Sequence, residues 1–181
     1  NSLGISFIVV TASSTPTPTP TPTSQSTVPH DDFDNPVIIT STAFTAQIGT
    51  GGATSSPDDP ELTDCNRRRG NATVWYRYTP STNGIISVDT IGSNYDTMLA
   101  IWTGTRGSLV SRGCNDDISG PILQSSLAVT VLVGIPYYIE VAQYSSTATN
   151  ASGAEGNSPT LDTPSVGGSL GLHFSFSPYR A

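Results

Sequence analysis

Thr73-Val-Trp-Tyr-Arg-Tyr-Thr79, Gly84-Ile-Ile-Ser-Val-Asp-Thr90 and Thr97-Met-Leu-Ala-Ile-Trp102 follow one another at short intervals in the middle of the chain. Each run is rich in β-branched and aromatic residues, which suit a pleated, half-buried surface. Pro80-Ser-Thr-Asn83 and Ile91-Gly-Ser-Asn-Tyr-Asp96 separate them with the residues that close turns. The same signature extends outward to 37–40 and 43–48 on one side, and to 123–133, 137–144 and 169–176 on the other. Almost no helical period competes with it. Short strands at this spacing predict an all-β fold, a jelly-roll-like antiparallel β-sandwich over residues 30–181. The Gly/Ser/Thr-rich stretch 145–168 reads as a long surface loop inserted before the last strand.

Two further regions precede the sandwich. In residues 1–12, Leu3, Ile5, Phe7 and Val9 alternate with Ser2, Gly4 and Ser6, the period of a β-strand. The stretch is too short to span a bilayer as a helix, so no transmembrane segment is expected. Residues 13–29 contain a strict Thr-Pro alternation from Thr15 to Thr23. Repeated proline blocks helix and ladder alike and favours an extended polyproline spacer, reaching on the order of 50 Å at about 3.1 Å per residue. Its threonines, Thr15, Thr17, Thr19, Thr21 and Thr23, are expected O-glycan acceptors. Ser2-Leu-Gly-Ile-Ser-Phe7 also mirrors Ser169-Leu-Gly-Leu-His-Phe174, which suggests that both segments suit one kind of place, an edge of a β-sandwich.

Composition narrows the class of function. The net charge is -7, all seven basic residues are arginine, and the Arg67-Arg68-Arg69 run reads as a solvated loop, so no nucleic-acid partner is expected. Cys65 and Cys114 are an even pair without a metal-site spacing, and one disulfide is the natural inference. Closing a loop of that length contributes about 4 kcal/mol in the chain-entropy account. Asn71-Ala-Thr and Asn150-Ala-Ser are N-glycosylation sequons. Together these features point to a secreted, glycosylated, cell-surface protein.

Several short motifs add to this in a fixed order. Asp31-Asp-Phe-Asp-Asn35 is followed by Val74-Trp-Tyr-Arg-Tyr-Thr79, then by Ser93-Asn-Tyr-Asp-Thr-Met-Leu99 with Trp102-Thr-Gly104. Cys114-Asn-Asp-Asp117 and Gly134-Ile-Pro-Tyr-Tyr-Ile-Glu-Val141 close the set. From about Asp31 to Tyr144 the chain thus resembles the bacterial pre-peptidase C-terminal domain family. The resemblance implies a non-catalytic β-sandwich module of secreted or surface proteins. It also implies that the turns around Asp96 and around Asn115-Asp116-Asp117 approach one another.

Catalysis finds little support in the residues. Only His30 and His173 offer imidazole bases; His30 stands at the linker boundary and His173 alternates with Leu172 and Phe174, facing solvent. No nucleophile-elbow or zinc-protease motif is present. The reading is therefore not an enzyme. Asp31, Asp32, Asp34, Asp96, Asp116 and Asp117 carry the oxygen chemistry of a Ca2+ site, the one cofactor expected. The alternative is that they cap turns by accepting from nearby backbone N–H groups. Trp75, Tyr76, Tyr78, Trp102, Tyr137, Tyr138 and Tyr144 lie at strand spacing, which suits a core better than a carbohydrate platform.

Two functions follow. In the first, the chain is a structural subunit of an extracellular filament or surface array. Its assembly strand (Leu3, Ile5, Phe7 and Val9) inserts into a neighbour by donor-strand complementation, giving a head-to-tail polymer of the chain with itself. Burying those four side chains contributes about 6–10 kcal/mol before ordering costs. In the second, the chain is an accessory carbohydrate- or protein-binding module of a larger secreted or surface protein, and residues 1–12 end a preceding domain.

Overall fold

The computed structural model describes residues 28–56, 58–62, 65, 70–144 and 167–180. The expected N-terminal strand, the Thr-Pro alternation of the spacer, the Arg67–Arg69 run, Asn150 and residues 145–166 of the insert before the last strand lie outside these residues.

Nine strands are described: β1 (Val37–Ile39), β2 (Ala43–Gly49), β3 (Asn71–Tyr78), β4 (Gly84–Asp89), β5 (Thr97–Thr105), β6 (Ser108–Asn115), β7 (Ser126–Val131), β8 (Tyr137–Gln143) and β9 (Ser169–Pro178). They form a five-stranded sheet, β1-β3-β8-β5-β6, and a four-stranded sheet, β2-β9-β4-β7. Antiparallel pairs β2·β9, β3·β8, β4·β7 and β5·β6 nest one inside the next. That nesting is an antiparallel ribbon rolled over itself, the jelly-roll arrangement expected from the strand spacing. The exception to antiparallel pairing is three-residue β1, which runs parallel to β3 with Ile38 opposite Arg77.

Alternation along the strands builds the core between the sheets. Val74, Tyr76, Leu99, Ile101, Ile139 and Val141 of one sheet cluster with Ile86, Val88, Val131, Leu170, Leu172 and Phe174 of the other. Tyr78 packs against Phe174 at a tilt, with ring centroids 4.8 Å apart, closing one end. A second apolar layer covers the outer face of the five-stranded sheet. There Trp75, Met98, Ala100, Trp102 and Ala142 are buried beneath Phe33 and Leu62, with Cys65 and Cys114 packed alongside. Phe33 meets the Trp75 ring edge-on at 5.2 Å. Strands covered on both faces lose their alternation of burial, and the first seven residues of β5 are all buried.

Three expectations need correction. β6 was not expected as a strand: its Ser-Leu-Val-Ser-Arg-Gly-Cys-Asn run is half polar, and its pairing with β5 and its disulfide to Cys65 hold it in place. β7 begins at Ser126 because Ser125 is tied to Thr90 and Thr97 in a buried hydroxyl network. β9 is an inner strand between β2 and β4, not an edge. The aromatics fall where strand spacing put them: Trp75, Tyr76, Tyr78, Trp102 and Tyr137 are buried, and Tyr138 and Tyr144 are half-buried against the second layer.

Candidate functional site

Asp96 immediately precedes β5, and Asp116-Asp117 immediately follow β6, so the hairpin brings all three to its open end. One ligand oxygen from each lies within 4.8 Å of the others. Backbone bonds fix the approach. The Tyr144 N–H donates to the Asp96 carbonyl, the Ser125 hydroxyl to the Asp116 carbonyl, and the Asn115 amide to the Asp117 carbonyl. The carboxylates themselves are poorly served: Asp96 Oδ1 and Asp117 Oδ1 are buried without a hydrogen-bond partner. Burial first, then repulsion from Asp116 and Asp117, pushes the Asp96 carboxyl up to about 6. Three carboxylate oxygens this close repel one another, and with two of them lacking a hydrogen-bond partner the arrangement suits a hard divalent cation.

The six acids named from the sequence do not form one set. Asp31, Asp32 and Asp34 stand apart from this triad, and Asp32 and Asp34 are gathered at the other end of the β5–β6 hairpin. There Arg106 sits in a two-residue turn closed by the Thr105–Ser108 pair, with Gly107 at φ 76°. Its guanidinium reaches Asp32 at 2.6 Å, Asp34 at 2.8 Å and Asp58 at 2.5 Å. Asp31 instead accepts from the Thr54 hydroxyl at 2.8 Å. The Arg106 hydrogen bond, reinforced by the Ser56 hydroxyl, holds the Asp58 carboxyl well below the usual carboxylate range. The Asp34 N–H does the same for Asp32, with help from Arg106. These acids already have a cation, an arginine that sequence spacing does not connect to them.

Asp59 next to this cluster is buried and accepts from the Ser56 N–H at 2.7 Å and the Thr73 hydroxyl at 3.1 Å. Burial prevails and pushes it up to about 6. Asn71 opens β3, half-buried and opposite Gln143. The two histidines are committed elsewhere: His30 Nδ1 lies 3.1 Å from the Asn35 carbonyl, and His173 Nδ1 lies 2.7 Å from Asp89 on the exposed face of the four-stranded sheet. Beneath the second layer, Trp102 Nε1 donates to the buried Glu140 at 2.8 Å.

The two sheets close differently at their two corners. On one side β7 lies against β6: the Ser126 N–H donates to Asn115 Oδ1 at 2.8 Å, and a Cβ on Gly113 would stand 3.1 Å from Leu127. On the other side, β2 is the last strand of its sheet, and among the described residues nothing pairs with its outer edge. The Phe176 N–H donates to the Thr42 carbonyl and the Thr50 N–H to the Gly168 carbonyl, both at 2.8 Å. By antiparallel alternation, Phe44, Ala46 and Ile48 bond to β9, while Ala43, Thr45, Gln47 and Gly49 turn their N–H and C=O groups outward. The strand carries no charge and no proline, the usual devices that blunt an edge. Val37, Phe44, Ala46 and Ile48 at this corner are only partly buried.

No protein-family model and no curated protein matches the chain. Among solved structures it is similar to the pre-peptidase C-terminal domain of collagenase from Bacillus anthracis, at 10% identity and a TM-score of 0.42 over 78% of this chain and 93% of that one. It is similar to the same degree, at 12% identity and a TM-score of 0.42, to PliG, a periplasmic inhibitor of g-type lysozyme from Aeromonas hydrophila, over 78% of this chain and 95% of that one. The first carries the name of the family that the sequence motifs resemble. The assignment as a jelly-roll β-sandwich rests on the nested strand pairs themselves.

Proposed function

We propose that this chain is a non-catalytic extracellular structural protein, the subunit of a surface fibre or array assembled by insertion of its N-terminal strand into a neighbouring subunit. The observation that carries the reading is the outer edge of β2, seven residues long, uncharged and without a partner strand among the described residues. Such an edge is a template for another strand, and natural sheets normally blunt it. The Cys65–Cys114 disulfide belongs to an oxidising compartment, outside the reducing cytosol. Glycans on Asn71, Asn150 and the spacer threonines would keep such a fibre soluble. Calcium on Asp96, Asp116 and Asp117 would relieve their mutual repulsion and lock the open end of the β5–β6 hairpin.

A second reading has its own support. Ser2–Phe7 matches β9, which occupies an inner slot between β2 and β4. The segment therefore also suits the last strand of a preceding sandwich, and this chain would then be an accessory binding module of a larger secreted or surface protein. Electron microscopy of the purified native protein, beside a variant lacking residues 1–12, separates the two. Filaments that disappear with the deletion support the subunit reading. Monodisperse particles in both samples remove it in favour of the accessory module.

A further inference from the structure

We propose that the outer edge of β2, unpaired among the described residues, is the acceptor for residues Ser2–Phe7 of a second copy, paired antiparallel with Leu3 opposite Ile48, Ile5 opposite Ala46 and Phe7 opposite Phe44. This rests on the assembly reading above and names its groove and register. The opposite edge of β2 already holds a strand of the same pattern. In β9, Leu170 lies opposite Ile48, Leu172 opposite Ala46 and Phe174 opposite Phe44, with Gly171 opposite Gln47. Ser2-Leu-Gly-Ile-Ser-Phe7 repeats this pattern position by position, replacing Leu172 by Ile5 and His173 by Ser6.

The backbone parity of β2 selects the same register. Its outward-facing groups belong to Thr45, Gln47 and Gly49, so Ser6, Gly4 and Ser2 take the hydrogen-bonded positions. Their short side chains then share the solvent face with the exposed Thr45, Gln47 and Gly49. Leu3, Ile5 and Phe7 fall on the core side, beside the half-buried Phe44, Ala46 and Ile48. A slip of one residue would turn all three to solvent, so burial fixes their facing, and the match to β9 selects among registers two residues apart. β1 at the same corner is only three residues long, and its core-facing Val37 is only partly buried, which leaves apolar surface for an added strand to cover.

The donor comes from a second copy because of what joins it to the body. The Thr-Pro alternation of residues 15–23 favours a stiff, extended spacer of about 28 Å at 3.1 Å per residue, and such stiffness disfavours folding back onto the sheet of the same chain. A donor at one end and an acceptor on the body make a heterologous contact, which propagates rather than closes. The edge of β7 is the poorer acceptor because β6 lies against it.

Paired cysteines in the full chain test the register. Ser6→Cys with Thr45→Cys places two thiols across one bonded pair, at a Cα separation near 5.5 Å that a disulfide spans. Ser6→Cys with Gly49→Cys places them four residues out of register. Mild oxidation is expected to give a reducible ladder of dimers and higher species with the first pair, at least tenfold more than with the second. Equal yields from both pairs, no cross-link, or a cross-link confined to single chains at every concentration would overturn the proposal. Thr45→Pro in the native background removes one outward N–H and no bond to β9. It is expected to abolish filaments while leaving the melting temperature of dilute protein within a few degrees. Filaments that need residues 1–12 yet survive Thr45→Pro would leave the assembly reading standing and eliminate this edge as the acceptor. Filaments absent from every sample would remove both.

Discussion

Asp59 and Asp96 are two carboxyls pushed up to about 6, and their partners differ. Asp59 is desolvated but accepts two hydrogen bonds, whereas Asp96 faces two further acids. A carboxyl whose folded pKa is raised contributes stability below its unfolded value, near 4, and loses it as pH rises toward 6. Urea unfolding of Asp59→Asn at pH 4, 5, 6 and 7 is therefore expected to show a smaller loss of stability across that window than the native chain. Asp96→Asn separates repulsion from metal binding. Without divalent cations it is expected to melt about 2–4 °C higher than the native chain at pH 7, because one of three crowded charges is gone. With millimolar calcium the native chain is expected to gain stability and the variant little. A native melting temperature indifferent to both calcium and chelator would dismiss the calcium site. The family resemblance implied that the turns of Asp96 and of Asp116-Asp117 approach, as they do, but nothing in the sequence separated Asp31, Asp32 and Asp34 from them. Asp32 and Asp34 belong to Arg106, 74 and 72 residues away, and only folding brings that guanidinium to them.

At the scale of elements, the β5–β6 hairpin carries one charged feature at each end. Arg106 at the turn joins the segment of Asp32 and Asp34 to that of Asp58. All four side chains are partly exposed, so each pair is worth under about 1 kcal/mol, and Arg106→Gln is expected to cost about 1–2 kcal/mol in all. The depressed carboxyls of Asp58 and Asp32 give the sign with pH. Their contribution is present above about pH 4 and lost on acidification below it, so the gap between Arg106→Gln and the native chain should shrink toward pH 2. Chemical denaturation at pH 7 and at pH 2.5 checks it. Strands with unbroken β-branched or aromatic runs were legible. β6 was not, because an edge strand half polar in sequence has its conformation imposed by a neighbour's ladder and by Cys114.

For the whole molecule, the disulfide joins the covering layer to the sandwich, linking Cys65 and Cys114 across a sequence separation of 49. Reduction is expected to lower stability by up to about 4 kcal/mol and to open the second layer before the sandwich itself. Limited proteolysis with and without reductant would show it as early cleavage near residues 58–70. Cleavage spread evenly over the nine strands would contradict a layered order of opening. Periodicity and turn residues alone determined that this protein is all-β, that it is a sandwich, and that its aromatics are core rather than platform. Those properties follow from local chemistry, in which alternation along a strand decides which face is buried. The tertiary structure alone decided that β9 fills an inner slot, that β2 has no partner on its outer edge among the described residues, and that Asp32 and Asp34 fall to Arg106 and not to the converging acids. Each of these depends on which strands become neighbours, and that is settled by long-range pairing between segments as far apart as Ala43 and Ser175.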